Sequence, residues 1–188
     1  MPPLKKDLFF KLKNYNEKFF NTFYYFIETG TNHGDTSMLA STMFSQIETI
    51  EINSKYYNQN IEKYKNISNI NFHLGDSAKI LKNIIQTLNN NALFFLDAHG
   101  RYANGEVGDT DVPLNEEILE ISNNFKHEAV IIVDDFRLFG SKKINHDWEH
   151  IEKSKLIDLI NPKRIIDIYH LPSERRDDDR LIIHLNSI

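Results

Sequence analysis

Three aspartates follow two of the most apolar runs in this chain of 188 residues. Asp97 ends the run 92–97, Asp134 ends the run 129–134, and Asp135 comes directly after it. If these runs are neighbouring strands, the three carboxylates meet at one sheet edge, where their repulsion raises their pKa values. A divalent cation relieves that repulsion, and oxygen ligands suit Mg²⁺. The alternative is that these aspartates only end strands and start loops.

Acidic residues and glycines also follow three earlier apolar runs. The first run ends in Glu28 and a turn with Gly30 and Gly34, whose spacing differs from the G-x-G-x-x-G of nicotinamide enzymes. The second ends near Glu51, an acid placed to accept the hydroxyls of a ribose. The third is followed by Gly-Asp-Ser at 75–77, whose aspartate caps a helix, accepts from an adenine amino group, or does both.

Seven apolar runs rich in Ile, Val and Phe predict seven strands. They cover residues 23–28, 46–52, 70–74, 92–97, 129–134, 164–171 and 180–186. Helical spacing between them indicates βαβ units, and therefore a parallel α/β sheet with helices on both faces. The last two runs are too close for a crossover helix, so they should pair antiparallel. Asp177, Asp178 and Asp179 between them are interpreted as a solvated tip.

Two further helices are predicted near the ends of the chain. One lies within residues 1–22 and packs on a single domain over residues 23–188, because its apolar residues share a face: Leu8, Leu12, Tyr15 and Phe19. The other carries Trp148, Ile151 and Leu159.

The motifs Glu28-x-Gly30-x-x-x-Gly34, Glu51 and Gly75-Asp76-Ser77 resemble, in order and spacing, those of the class I S-adenosylmethionine-dependent methyltransferases. The resemblance covers nearly all of residues 20–188. It implies a Rossmann-like sheet of order 3-2-1-4-5-7-6 with the last strand antiparallel. Asn32 departs from the family, in which many members carry Gly. The cofactor-binding residues that the resemblance implies are Glu28, Thr29, Gly30, Thr31, Asn32, Gly34, Thr36, Glu51, Ile52, Asp76, Ser77 and Asp97.

Within that family, the aspartates resemble the ligands of metal-dependent O-methyltransferases of the catechol type and of the macrolide and aminocoumarin sugar type. The resemblance implies Asp97, Asp134 and Asp135 as metal ligands, with Mg²⁺ or another divalent cation. The catechol type has a Lys base where this chain has Gly100. The sugar type has an acid where this chain has His99, whose ordinary pKa suits a general base.

The function expected from these residues is divalent-metal-assisted O-methylation of a hydroxyl on a small molecule or sugar. Asp97 and His99 are the catalytic residues, and the metal activates the hydroxyl whose proton His99 takes. Loops 100–112 and 137–147 are expected to form the acceptor pocket, with Tyr102 and Arg137 as substrate residues. Arg137 either binds an anionic group of the substrate or forms a salt bridge with a loop acid.

Three other functions stay open or are disfavoured. A metal-independent methyltransferase acting on nitrogen or a carboxylate is the alternative within enzymes, and a cofactor-binding module without catalysis is the alternative outside them. The H-x-x-E-H pattern at 146–150 matches inverted zinc peptidases, but a third acidic ligand has no evident motif after it.

Composition bounds the partners and the setting. With 22 basic and 27 acidic residues the net charge is −5, which indicates no nucleic-acid partner. No run is apolar enough to cross a membrane, and the chain has no cysteine, so a cytoplasmic protein is expected and thiolate chemistry is excluded. A homodimer is one use for an aromatic stretch near the N-terminus, which contains Phe19, Phe20, Phe23, Tyr24 and Tyr25.

Overall fold

The computed structural model describes residues 4–15, 22–99, 108–142 and 147–188. Within these ranges seven strands form one sheet of order β3-β2-β1-β4-β5-β7-β6. They are β1 (Tyr25–Thr29), β2 (Gln46–Glu51), β3 (Ile70–Leu74), β4 (Ala92–Leu96), β5 (Ala129–Val133), β6 (Ile165–Leu171) and β7 (Arg180–Leu185). Strands β1 to β5 pair in parallel, whereas β7 pairs antiparallel with both β5 and β6. The predicted fold, strand order included, is confirmed.

Helices cover both faces of this sheet. They are α1 (Lys6–Tyr15), α2 (Asp35–Ser41), α3 (Ser54–Lys63), α4 (Ser77–Ile85), α5 (Leu114–Asn124) and α6 (Lys153–Asp158). Leu81, Ile118 and Leu156, from α4, α5 and α6, belong to the core on one face. Phe9 and Ala40, from α1 and α2, belong to the core on the other. Both faces of β1, β2, β4 and β5 are therefore buried, and functional side chains are left to the ends of these strands.

Helix α1 packs on the sheet, and Leu8 and Leu12 of the predicted apolar face are buried together with Phe9, which that prediction did not include. The ring of Phe9 lies edge-on to Phe26 of β1 at 6.1 Å and to Phe44 at 5.8 Å between centroids. The described helix ends at Tyr15, and the predicted contributions of Phe19 and Phe20 lie outside the described residues.

The helix predicted around Trp148 and Ile151 is wrong in its extent. Helix α6 begins only at Lys153, and both apolar side chains are buried in an irregular segment before it. The Gly140 N–H donates to the carbonyls of Trp148 and Ile151, so these two groups tie the segment to the loop after β5. Trp148 and Ile151, whose spacing suggests one face of a helix, are therefore core residues carried by an irregular segment.

The H-x-x-E-H pattern in this segment does not lie on a helix as far as it is described. His150 lies in a turn with 77% of its side chain exposed, and His146 is outside the described residues. No helix within the described ranges is long and apolar enough to cross a membrane.

Candidate functional site

A cleft opens at the carboxyl ends of β1 to β4. The empty space between its lining residues, open solvent included, is about 400 Å³. Five of the predicted cofactor residues line it, namely Gly30, Glu51, Ile52, Asp76 and Ser77. The other lining residues are Ile50, Gly75, Ala98, His99, Gly108, Thr110, Asp111 and Pro113. The cleft lies where ligands bind in open α/β sheets.

Backbone N–H groups orient the carboxylate of Glu51 at the end of β2. Asn32 donates to Oε2 at 2.7 Å and Asn53 donates to Oε1 at 2.8 Å. Asn32 has a positive φ of 51°, a conformation that Asn tolerates better than most residues. The departure from the family at Asn32 therefore keeps the left-handed turn and supplies a donor to Glu51.

The two glycines after β1 are required by contacts of the protein with itself. Gly30 has a φ of 85°, and a Cβ there would lie 2.6 Å from the carbonyl oxygen of Asp97. Gly34 has a φ of 74°, and a Cβ there would lie 2.6 Å from the ring of Tyr64. Gly30 thus brings the β1 turn against the end of β4, and Gly34 brings it against α3.

The remaining predicted cofactor residues of this turn hold neighbouring elements together. Oε2 of buried Glu28 accepts from Ser37 and, at 2.8 Å, from Thr49. Burial raises the pKa of Glu28 to about 8, although these two hydroxyls favour its ionised form.

Three threonines of the same turn also have protein partners. The hydroxyl of Thr31 bonds to that of Thr49 at 2.6 Å, and Oγ1 of Thr36 accepts from the Leu4 N–H. The Thr29 carbonyl accepts from the Asp97 N–H. None of these threonines is among the residues that line the cleft, although the Thr31 N–H donates to the carbonyl of Ile50, which does line it. The cofactor role of each threonine stays a prediction.

His99 lies between two of the predicted metal-ligating aspartates. Its Nε2 is 3.0 Å from Oδ2 of Asp135 and 3.3 Å from Oδ1 of Asp97. Burial lowers the pKa of His99, but Asp135 and Asp97 outweigh that effect and raise it to about 9. Burial raises the pKa of Asp97 to about 7, although His99 favours its ionised form. The imidazole is therefore a cation at neutral pH in this arrangement.

Two arginines neutralise the rest of the acidic cluster. Nε of Arg180 lies 3.2 Å from Oδ1 of Asp134. Nη1 of Arg137 donates to Oδ1 of Asp135 and, at 2.6 Å, to Oδ2 of Asp179. Of the two roles considered for Arg137, the structure shows the salt bridge.

Asp179 is the acid that the sequence interpretation misplaced. It was expected on a solvated tip, but its side chain is fully buried and also accepts from Ser173 Oγ at 2.6 Å. The interpretation failed because Asp179 directly precedes β7, whose first residue, Arg180, is itself buried.

The donor set does not fit a metal ion in this conformation. Ligand atoms of Asp134, Asp135 and Asp179 do lie within 4.8 Å of one another, but Asp97 is not in that group. Nη1 of Arg137 already bridges Asp135 and Asp179, where a shared cation would bind, and His99 contacts the other oxygen of Asp135. The repulsion that motivates the magnesium prediction is relieved by side chains.

Two buried residues near the site, Glu117 and Trp148, are not among the site residues that the sequence predicts. Glu117 lies on the apolar face of α5, one turn from Leu114 and Ile121, and that spacing could have identified it. Burial raises its pKa to about 8, although hydrogen bonds with Ser77 and Thr29 favour the ionised form. The ring of Trp148 lies 5.0 Å from that of His99.

Tyr102 and half of the residues in the two predicted acceptor loops lie outside the described residues, which omit 100–107 and 143–146. Their substrate roles stay predictions.

Solved structures share this fold, whereas no protein-family model and no curated protein sequence matches the chain. A protein provisionally described as a methyltransferase from Streptococcus mutans, in complex with SAH, has a TM-score of 0.60 at 12% identity, with 94% of this chain and 97% of that chain covered. One provisionally described as a caffeoyl-CoA O-methyltransferase from Staphylococcus aureus has a TM-score of 0.61 at 18% identity, with 99% and 86% covered.

The N-methyltransferase NodS from Bradyrhizobium japonicum WM9 has a TM-score of 0.56 at 10% identity, with 98% of this chain and 99% of that chain covered. At these identities the likeness shows the fold alone. That fold is the one that the motifs of the sequence predict.

Proposed function

We propose that the protein is an S-adenosylmethionine-dependent methyltransferase that acts on a hydroxyl of a small molecule, with sugars among the candidate acceptors. The observation that carries the proposal is the cleft at the ends of β1 to β4, which has Glu51 and Asp76 on its walls and reaches His99. The shared fold supports the reaction class, and the acceptor class rests on the sequence.

The cleft residues suit the cofactor, which supplies an electrophilic methyl group. The carboxylate of Glu51 is oriented by backbone donors at both oxygens, lines the cleft, and is the proposed acceptor for a ribose hydroxyl. Asp76 follows the neighbouring strand β3 and lines the same cleft as a second acceptor. Two acidic acceptors at the ends of neighbouring strands suit a nucleoside-bearing ligand.

Asp97 is the proposed proton acceptor. Its Oδ1 is buried and makes no hydrogen bond within the described part of the chain, although His99 Nε2 lies 3.3 Å away. A protonated His99 cannot take a second proton, but it can hold Asp97 in place. The acceptor hydroxyl gives its proton to Asp97 as its oxygen bonds to the methyl carbon and the carbon–sulfur bond breaks. The proposed base is therefore Asp97 and not His99, which the sequence predicts as the base.

The same contacts favour transfer without a metal. Arg137, Arg180 and His99 supply the positive charge that a divalent cation was expected to bring. A metal-independent enzyme is the alternative that the sequence left open, and we propose it for the hydroxyl acceptor as well.

Methyl transfer from S-adenosylmethionine to a panel of soluble sugars and catechols, with and without EDTA, tests the proposal. We expect turnover of at least one acceptor, unchanged by EDTA, and about 100-fold less in Asp97→Asn. The Asp158→Asn variant, whose aspartate is exposed at the end of α6, controls for the loss of one carboxylate. Turnover that requires added Mg²⁺ would contradict the metal-free proposal, and an unaffected Asp97→Asn variant would contradict the assigned base.

A further inference from the structure

One wall of the cofactor cleft is formed by the segment that leads into α5. Residues Gly108, Thr110, Asp111 and Pro113 line the cleft together with the residues at the strand ends. The C-terminal end of this segment is held by apolar packing, because only 5% of Val112 is exposed. The N-terminal end, at Gly108 and Asp109, has no such apolar contact among the described residues, so polar contacts must hold it.

Asp76 and Lys79 of the α4 N-terminus supply those contacts. The Asp109 N–H donates to Oδ2 of Asp76 at 3.1 Å, and Nζ of Lys79 donates to Oδ1 of Asp109 at 2.7 Å. The other oxygen of Asp76 accepts from the Ala78 N–H at 3.1 Å, which caps α4. Both oxygens of Asp76 are engaged, so the carboxylate is fixed in its orientation.

Gly108 lets the backbone approach this carboxylate. A Cβ at Gly108 would lie 2.8 Å from Oδ2 and 2.9 Å from Cγ of Asp76. Because the Asp76 side chain is held by two N–H donors, it cannot turn away without losing the helix cap or the contact with Asp109. A side chain at Gly108 must therefore push the wall outward.

We propose that Asp76, Lys79, Gly108 and Asp109 form a clasp that holds residues 108–113 as the outer wall of the cofactor cleft. The proposal rests on the proposed function, and it adds Lys79 and Asp109 as positioning residues for the cofactor. Asp76 then has two roles: it faces the cleft, and it fixes the wall. An open clasp lets the wall move away, so the cofactor leaves sooner.

The clasp should act on binding rather than on folding. Lys79 and Asp109 have exposed side chains, 57% and 74%, and an exposed ion pair contributes little to the stability of a fold. S-adenosylhomocysteine is a suitable probe because it has no net charge, so removal of one lysine alters its affinity little through Coulomb forces.

Surface plasmon resonance with S-adenosylhomocysteine on the full chain tests the clasp. We expect Lys79→Met to raise Kd about 3- to 10-fold through faster dissociation, at an unchanged melting temperature. Gly108→Ala should raise Kd at least about tenfold. Lys65→Met is the matched control, since Lys65 forms an equally exposed pair with Glu62 away from the cleft.

The outcomes separate the clasp from the function on which it rests. Weaker binding in Lys79→Met and Gly108→Ala, with Lys65→Met like wild type, supports the clasp. Wild-type affinity in both cleft variants overturns it while the proposed function stands. If Gly108→Ala does not fold, Lys79→Met alone decides. A wild-type protein that does not bind the probe at all overturns the proposed function, and the clasp with it.

Discussion

At the scale of residues, the site is a set of charges that compensate one another inside the protein. The sequence placed Asp97, Asp134 and Asp135 at one sheet edge, and the structure brings them there. Their partners could not be anticipated, because Arg180 is 46 residues from Asp134 along the chain. From the sequence alone, a metal ion is the simplest partner for these carboxylates. The structure shows Arg137 and Arg180 as partners instead.

The pair of Asp97 and His99 predicts a bell-shaped pH profile for turnover. Asp97 must lose its proton to act as a base, so turnover should rise as the pH passes about 7. His99 must keep its proton to hold Asp97, so turnover should fall as the pH passes about 9. Initial rates between pH 5.5 and 10.5, roughly, would show both limbs. His99→Asn should abolish the alkaline limb, and an unchanged limb would remove His99 from the assignment.

Glu117 predicts a second pH dependence, in stability. Its pKa in the folded protein is about 8 against an ordinary 4.5, so folding keeps a proton that the unfolded chain loses. The stability is therefore complete below pH 4.5 and declines as the pH rises towards 8. Glu117→Gln, which stays neutral, should gain about 1–3 kcal/mol over wild type in urea unfolding at pH 8, and much less at pH 5.

The exposed neighbour Glu116 provides the control for that gain. Glu116→Gln removes the same charge from the same turn of α5 without relieving a buried carboxylate. An equal gain in both variants would mean that burial of Glu117 is not the cause.

At the scale of elements, the strands were predictable and the irregular segments were not. The central strands β4 and β5 are short runs of aliphatic and aromatic residues whose burial on both faces leaves no polar alternation. The segment before α6 has apolar residues at helical spacing, but its carbonyls bond to Gly140 instead. The spacing of apolar residues predicts which side chains are buried, but it does not predict whether the backbone that carries them is helical or irregular.

Arg164 shows how one residue fixes an element far from the site. Its guanidinium donates to the carbonyls of Ile121 and Ser122 at the end of α5, and to those of His127 and Asn186. Arg164→Lys keeps the charge but offers fewer donors in a different geometry. We expect a loss of about 2–4 kcal/mol in urea unfolding, with binding of S-adenosylhomocysteine unchanged in the folded fraction.

The exposed Arg175 provides the comparison for this variant. Arg175→Lys should alter the unfolding free energy by less than about 0.5 kcal/mol. A comparable loss in both variants would show that Arg164 does not depend on its four carbonyls.

At the scale of the whole molecule, the sheet determines which residues can meet. Strands β1 to β4 bring Gly30, Glu51, Asp76 and Asp97 to one edge, although these residues are far apart along the chain. The resemblance predicts the strand order, and that order brings together the strand ends that line the cleft. The identity of the acceptor does not follow in the same way, because loops 100–112 and 137–147 vary independently of the sheet that carries them.

The central claim is that the cleft binds S-adenosylmethionine with Glu51 on its ribose. Isothermal titration calorimetry with S-adenosylhomocysteine tests it most directly, on wild type, Glu51→Gln and the exposed control Glu62→Gln. We predict micromolar binding to wild type and to Glu62→Gln, and affinity at least about tenfold lower for Glu51→Gln. Failure of the wild-type protein to bind at high micromolar concentration, or equal affinity in Glu51→Gln, would contradict the account.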